Sequence, residues 1–593
     1  MGSALYKNFY EIKQRLEKFC LTLIILITAI NLSTPASAFS LSWSYSGIAK
    51  ECCLTLTYPC WAPFHYIYTY ISNKDSILII DTARESVTEK NRRPPAWSSY
   101  GYDSIAGTDR KVVMGAGDKY CRSILIVDPV KKRVTEKEGL SEAKWGLEST
   151  AVVGNKVVMG RGDMGDSILI IDTETGTVAE KGGLSKAAWG SGSWAVVGSK
   201  VVMGPGNKNG TSILIIDTKT GTVAEKGGLS KANWGSCSID IAGNKVVMGP
   251  GKEEGASILI VDTETETVIE KKGLSKANWG YNSTAVAGNK IVMGPGNPSE
   301  LISHPKPSYY GQTLLVPGGA KSILIVDPEK GTVAEKGGLS KAAWGFFSTA
   351  VAENKVVMGR SIYDGGKSIL IIDTETGTVA EKGGLSKAEW GYGSIAAAGN
   401  KVVMGRGDSG TSILIIDPEK GTVAEKTGLF KANWGYASTA AVGNKIVMGC
   451  GDGAIIVSIL IVDTETETVI EKEGLSHYAS WGSHSTVAAG NKVVMGSGGR
   501  SCKSILIIDP AKGTVAEKDG ISESNWGFRS TIAAGNKVVM GPGDRFGTSI
   551  LIIDPMKETV TEKTGLPKAN WGYNSTAAAG NRVVMGAGGD WMY

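Results

Sequence analysis

The hexapeptide Ser-Ile-Leu-Ile-(Ile/Val)-Asp recurs eleven times between Ser76 and Ser549, at steps of 44 to 47 residues except for one of 65. A second string, (Val/Ile)-Val-Met-Gly, recurs eleven times from Met114 to Met585, and eleven Trp keep the same step from Trp97 to Trp571. Such a chain is not a set of unlike domains. Each unit is one supersecondary element whose apolar face must be covered by the next.

One unit, Trp434 to Ala479, parses into four short strands, named a to d in chain order. Ser438–Val442 has small residues that suit a crowded position near an axis. Gly443-Asn444 is a hairpin turn, and Gly-Asn stands there in eight of eleven units. Lys445–Gly449 is strand b, and Ser458–Asp463 is apolar on both faces, as an interior strand should be. A turn rich in Asp, Thr and Glu leads to Thr468–Lys472, a more polar outer strand that discourages edge pairing. Four strands in about 45 residues are the period of a propeller blade. The fold class expected is therefore all-β. The Trp and the recurrent Met are expected to fill the space between blades.

The phase of the repeats supports a closed ring. They begin with a c–d pair at Ser76 and end with an a–b pair at Met585, so the two leftovers make an eleventh blade shared between the termini. Gly482 to Gly499, followed by Ser504–Pro510, resembles a Kelch repeat: a His-Ser strand at His484, Gly498-Gly499 after strand b, and an Asp-Pro turn. The resemblance runs from residue 76 to 593 and implies a Kelch-like β-propeller. Most copies have Gly-x-Gly instead of Gly-Gly, and Val stands for the usual fourth-strand Trp. The Asp-x-x-Thr-Gly turn also resembles quinoprotein propeller repeats.

Eleven blades exceed the usual range of roughly 4–8. Residues 297–321 carry Pro298, Pro305, Pro307 and Pro317 with Tyr309 and Tyr310, a linker-like composition. The partition expected is thus a five-repeat propeller at 76–296, a linker or insertion at 297–321, and a six-repeat propeller at 322–593. A single eleven-bladed ring over 76–593 is the alternative.

Comparison among the copies separates scaffold from variable positions. The a–b and c–d turns hardly change, whereas the b–c loop and the two residues after Trp-Gly vary freely. In an up-down-up-down blade these two sets emerge on one face. The ligand-binding candidates are Tyr281, Phe346, Phe347, Tyr392, Tyr436, His484, Phe528, Arg529 and Tyr573, since aromatics among varied polar neighbours suit a protein or glycan ligand. Packing under the loops is the competing role for the aromatics. Arg161-Gly162-Asp163 and Arg406-Gly407-Asp408 match an adhesion tripeptide, but one substitution in a variable loop creates it.

Ahead of the repeats, residues 1–18 carry a net charge of +2, and the apolar run Leu21 to Ile30 precedes Ala36-Ser37-Ala38. This reads as a secretory signal over 1–38, followed by a Cys-containing lead-in at 39–75. The expected location is secreted or extracytoplasmic, with no stable membrane span once the signal is removed. A signal anchor, or a complex plastid reached through the Ala36–Phe39 motif, are alternatives. Cys52, Cys53 and Cys60 are the disulfide candidates, and Asn209 is the credible glycosylation site among the sequons at Asn209, Asn282 and Asn574.

A net charge of +5 gives no nucleic-acid footprint. Four His (His65, His304, His477 and His484) and no Cys-x-x-Cys pair leave little material for a metal centre, so neither metal nor cofactor is expected. The reading is an exported, non-catalytic binding or adhesion protein. The alternatives are a propeller oxidoreductase of galactose-oxidase or quinoprotein type, and a structural surface or wall component.

Overall fold

The computed structural model describes residues 40–44, 53–57, 76–91, 100–117, 120–206, 209–296, 320–360, 366–451, 458–476, 479–498, 502–543 and 547–588. The chain divides into two compact units, 1–72 and 73–593. In the first, Ser40–Ser44 pairs antiparallel with Cys53–Thr57. Cys52, Cys60 and the signal segment lie outside the described residues.

The second unit is an all-β propeller of eleven four-stranded antiparallel blades. Blade 1 runs from Ile105 to Lys137 and the rest follow in sequence order up to blade 10, Thr531 to Lys563. Blade 11 takes strands a and b from Thr576–Ala579 and Arg582–Gly586, and strands c and d from Ser76–Asp81 and Ser86–Asn91. In the example unit the strands are Thr439–Val442, Lys445–Met448, Ile459–Asp463 and Thr468–Lys472, within a residue of the sequence reading.

Strand a of each blade lies against strand a of the next, from blade 1 through blade 11 and back to blade 1, so there is one ring. This overturns the partition into five plus six. The strand b of blade 5, Lys290–Met293, pairs with Ile323–Asp327 across residues 297–321, with Val292 opposite Ile325. The insertion replaces a b–c loop and leaves the register of the blade intact. Two rings would instead pair Lys290–Met293 with Ser76–Asp81 and Arg582–Gly586 with Ile323–Asp327, whereas Ser76–Asp81 pairs with Arg582–Gly586.

Strands b and c form the core. Val447, Met448, Leu460 and Val462 are completely buried, and their counterparts repeat in every blade. Ten Trp, from Trp145 to Trp571, are buried between blades. Most donate the indole N–H to a carbonyl four residues earlier, as Trp390 does to Ser386 at 3.0 Å. Burial of an indole needs such an acceptor. Trp97 lies outside the described residues, and Tyr100 holds the corresponding place ahead of blade 1. The N–H of Gly101 donates to the carbonyl of Gly115 at 2.9 Å, as Gly190 does to Gly204 after Trp189.

Strand b ends on a glycine because neighbouring blades meet there backbone to backbone. A Cβ on Gly405 would lie 1.8 Å from the carbonyl oxygen of Trp434, and most other copies show the same approach. No rotamer change relieves a clash with backbone.

Polar ties repeat with the ring. A strand d Glu bridges two blades: Glu425 accepts from Ser412 Oγ of its own blade at 2.9 Å and from the N–H of Ser386 at 3.1 Å. Burial raises the pKa of Glu425, but the hydrogen bonds from Ser386 and Ser412 outweigh it and the net shift is downward. On the opposite face, the hairpin Lys reaches the following blade or its own c–d turn. Lys401 Nζ lies 2.7 Å from Glu467, and Lys537 Nζ lies 2.5 Å from Glu85 of the shared blade.

Candidate functional site: the channel mouth

Where strand d crosses to the next strand a, the sequence reads Trp-Gly, two variable residues and Ser. In blade 8 the turn is built from backbone bonds. Gly435 N–H donates to Gly449 O at 2.9 Å, Tyr436 N–H to Asn433 O at 3.1 Å, and Ser438 N–H to Gly435 O at 3.0 Å. This turn pushes Ala437, the second variable residue, into the left-handed region at φ 47°.

All eleven blades do the same. The second mouth residues, in ring order from blade 1, are Asp103, Glu148, Gly192, Cys237, Asn282, Phe347, Gly393, Ala437, His484, Arg529 and Asn574, and each has φ between 45° and 59°. Ten of the eleven steps are closed by a backbone hydrogen bond of 2.6–3.0 Å, in which each N–H donates to the carbonyl of its counterpart one blade back. Glu148 donates to Asp103, and Asp103 donates across the chain ends to Asn574. The left-handed region suits glycine, yet only Gly192 and Gly393 are glycines. Nine positions carry a side chain at a cost of about 1 kcal/mol or more each.

The second positions therefore face the mouth as a nearly non-repeating set inside a repeating frame. His484, Arg529, Asn574, Asp103 and Glu148 occupy consecutive places over blades 9, 10, 11, 1 and 2. The remaining six places contain no Asp, Glu, Lys, Arg or His. Phe347 is 47% exposed, and Trp194, two residues beyond Gly192, is 37% exposed. Burial raises the pKa of Asp103 to about 6, with Glu148 adding to the shift and Arg529 opposing it. Burial also raises the pKa of the Cys237 thiol.

The first variable positions behave differently. Tyr281, Phe346, Tyr392 and Tyr436 stack blade to blade with ring centroids 5.9, 6.2 and 5.9 Å apart at 24–28°. That tilt is close to the turn of about 33° that eleven equal blades require at each step. Phe528 and Tyr573 continue the pattern at 6.1 Å. Phe346 and Tyr573 are buried and the other four half-buried. These aromatics form a wall beneath the mouth, whereas Phe347, His484 and Arg529 stand exposed on it. Phe528 joins the two layers, with His484 edge-on at 5.4 Å and the Arg529 guanidinium 5.8 Å from its centroid.

The b–c loops share this face. A Cβ on Gly451 would touch Tyr436 at 3.1 Å, and one on Gly543 would touch Phe528 at 3.0 Å. The two Arg-Gly-Asp tripeptides are closed on themselves here. Arg406 donates to both oxygens of Asp408 at 3.1 and 2.9 Å and lies 5.4 Å from the centroid of the Trp390 ring. Arg161 repeats the arrangement with Asp163 and Trp145 and is 9% exposed. Each is a clamp that holds a loop onto a Trp. Beside the second clamp, burial raises Glu389 to about 7, with Asp408 adding to the shift and Arg406 opposing it.

Asp103, Glu148 and Cys237 are mouth residues that the sequence candidates omit. The legible signal for Asp103 is Tyr100-Gly101-Tyr102-Asp103-Ser104, which matches Trp-Gly-x-x-Ser once Tyr is admitted for Trp. Asn209 is exposed in its loop, while the sequons at Asn282 and Asn574 fall on half-buried mouth positions. Among the described residues no group of His, Cys, Asp and Glu could hold a metal ion, and Cys121, Cys237, Cys450 and Cys502 are thiols.

No family model matches the chain, and no curated protein does. Solved structures similar to it include apo AztD from Citrobacter koseri, at 10% identity and a TM-score of 0.34, covering 68% of this chain and 93% of that one. The dihydro-heme d1 dehydrogenase NirN aligns at 11% identity and a TM-score of 0.32, covering 62% and 74%. Hydrazine synthase of Kuenenia stuttgartiensis aligns at 12% and 0.29, covering 57% and 98%. Superpositions of this quality carry nothing about the chemistry of the mouth.

Proposed function

We propose that this protein is an exported, non-catalytic binding module of Kelch-like blades whose ligand, a protein or a glycan, docks at the channel mouth. The observation that carries the reading is the ring of second mouth positions. Nine of them hold a side chain in the left-handed region although glycine would be less strained. Backbone strain retained at positions that also escape the repeat is the mark of a surface kept for recognition. Export rests on the basic start, apolar run and small-residue site of residues 1–38.

The test is a glycan array and a peptide-display selection on the purified propeller, repeated with Phe347→Ala, His484→Ala and Arg529→Ala combined. Loss of the captured ligand in the triple variant, with melting unchanged, is the expected outcome. Undiminished capture overturns the assignment of the face.

A further inference from the structure

We infer that the mouth selects a peptide segment carrying both an acidic and a basic side chain, the acid seated at Arg529 and His484 and the base at Asp103 and Glu148. The inference deepens the binding reading given above and rests on it.

The ring fixes where the charges stand. Arg529, Asn574, Asp103 and Glu148 are joined in series by backbone hydrogen bonds of 2.9, 2.8 and 2.7 Å, and Arg529 donates to His484 at 2.9 Å. Neighbouring ring positions are thus about 5 Å apart, the spacing of hydrogen-bonded strands. Two steps separate Arg529 from Asp103, about 10 Å along the rim. An extended peptide advances about 3.3 Å per residue, so opposite charges three residues apart match that span.

The side chains are also prepared for such a ligand. Arg529 is exposed and steadied on the face of Phe528, with His484 against the same ring. Asp103 is half-buried beside Glu148, two carboxylates on adjacent ring positions, with Arg529 two steps away. A ligand cation would relieve that repulsion, and a ligand carboxylate would repeat it. A purely anionic glycan therefore meets one favourable and one unfavourable arc, whereas a two-signed peptide meets two favourable ones. On the other half of the ring, Phe347 offers an exposed apolar surface for a flanking side chain.

The experiment selects random peptides displayed on phage against the full chain, then measures the recovered sequences by fluorescence anisotropy. Recovered peptides should carry an acid and a base about three residues apart. Arg529→Glu with His484→Glu, which leaves acids as the only charged residues on the arc, should weaken them at least tenfold and favour all-basic peptides. Asp103→Lys with Glu148→Lys should favour all-acidic ones. Recovered peptides of one sign or none, or a preference indifferent to both double variants, overturns the inference. Capture on a glycan array with no peptide recovered overturns it too, while leaving the face as the binding site. Capture by neither method removes both readings.

Discussion

The backbone N–H of Arg529 donates to the carbonyl of His484 at 2.9 Å, and both residues are left-handed, at φ 51° and 48°. Neither side chain has a part in that bond, so the rim can be held rigid while its side chains change from blade to blade. The strain is local and testable. Ala437→Gly should raise stability by about 0.5–1 kcal/mol, because glycine occupies the left-handed region without the Cβ penalty. Gly393→Ala should lower it by at least that amount, since its Cβ would also press on the Tyr436 ring at 3.1 Å. Guanidinium melts followed by Trp fluorescence would read both, and equal midpoints for the two variants would contradict the strain.

Close approach between blades gives a larger effect. Gly405→Ala places a Cβ 1.8 Å from the carbonyl of Trp434, and we expect an insoluble protein or a loss above about 3 kcal/mol. Gly383→Ala is the control, since its Cβ meets nothing within 4 Å and its backbone is not left-handed. Thermal scans should leave that variant unchanged or slightly stabilised.

Closure makes the ring a single cooperative object. Limited proteolysis within 297–321 should yield two fragments that still co-elute on size exclusion, because Val292 and Ile325 pair across the cut. They should separate only in denaturant. Deleting residues 576–593 leaves Ser76–Asp81 paired on one side only, an open edge, and should give aggregates by light scattering. Two independent folded fragments after the cut would revive a pair of propellers.

Ten of the serines that follow the mouth pair have a buried Oγ with no hydrogen-bond partner among the described residues, Ser394 among them. An unsatisfied buried hydroxyl costs about 1–3 kcal/mol, so Ser394→Ala should be neutral or stabilising by up to about 1 kcal/mol. A destabilised variant in a urea titration would mean that the hydroxyl has a partner.

Acid should act in two directions. Glu180, Glu225, Glu270, Glu335, Glu381, Glu425 and Glu562 have folded pKa values below the ordinary 4.5, so their contribution is full above that value and is lost as pH falls through the lowered one. Stability should drop below about pH 4.5, in steps shared by many blades. Asp103 has the opposite sign. Its pKa of about 6 lies above the ordinary 3.8, so its ionised form costs stability at neutral pH and the cost is relieved on acidification through 6. Glu148 and Arg529 are the charged groups acting on it. A basic probe peptide should therefore leave the mouth between pH 7 and 5, and binding flat across that range would contradict the shift.

The repeated strings determined the blade, its four strands and its turns, because each rests on local rules: alternating apolar strands, Gly-Asn hairpins, and a polar outer edge. They also determined that a blade must be completed from strands distant in sequence, since the half-unit phase is plain in the chain. The number of rings was decided only in three dimensions. A long loop and a linker have the same composition, and what separates them is whether Val292 and Ile325 pair across it. The mouth was half legible. Variability marked His484 and Arg529, but Asp103 lay hidden behind Trp97, because Tyr100 takes the place of Trp only by where its backbone meets the neighbouring blade. Which of each variable pair is wall and which is rim also needed the fold. Two adjacent residues differ there by a single left-handed φ, which the turn after Trp-Gly sets and which brings each second residue into backbone hydrogen-bonding range of its counterparts around the ring.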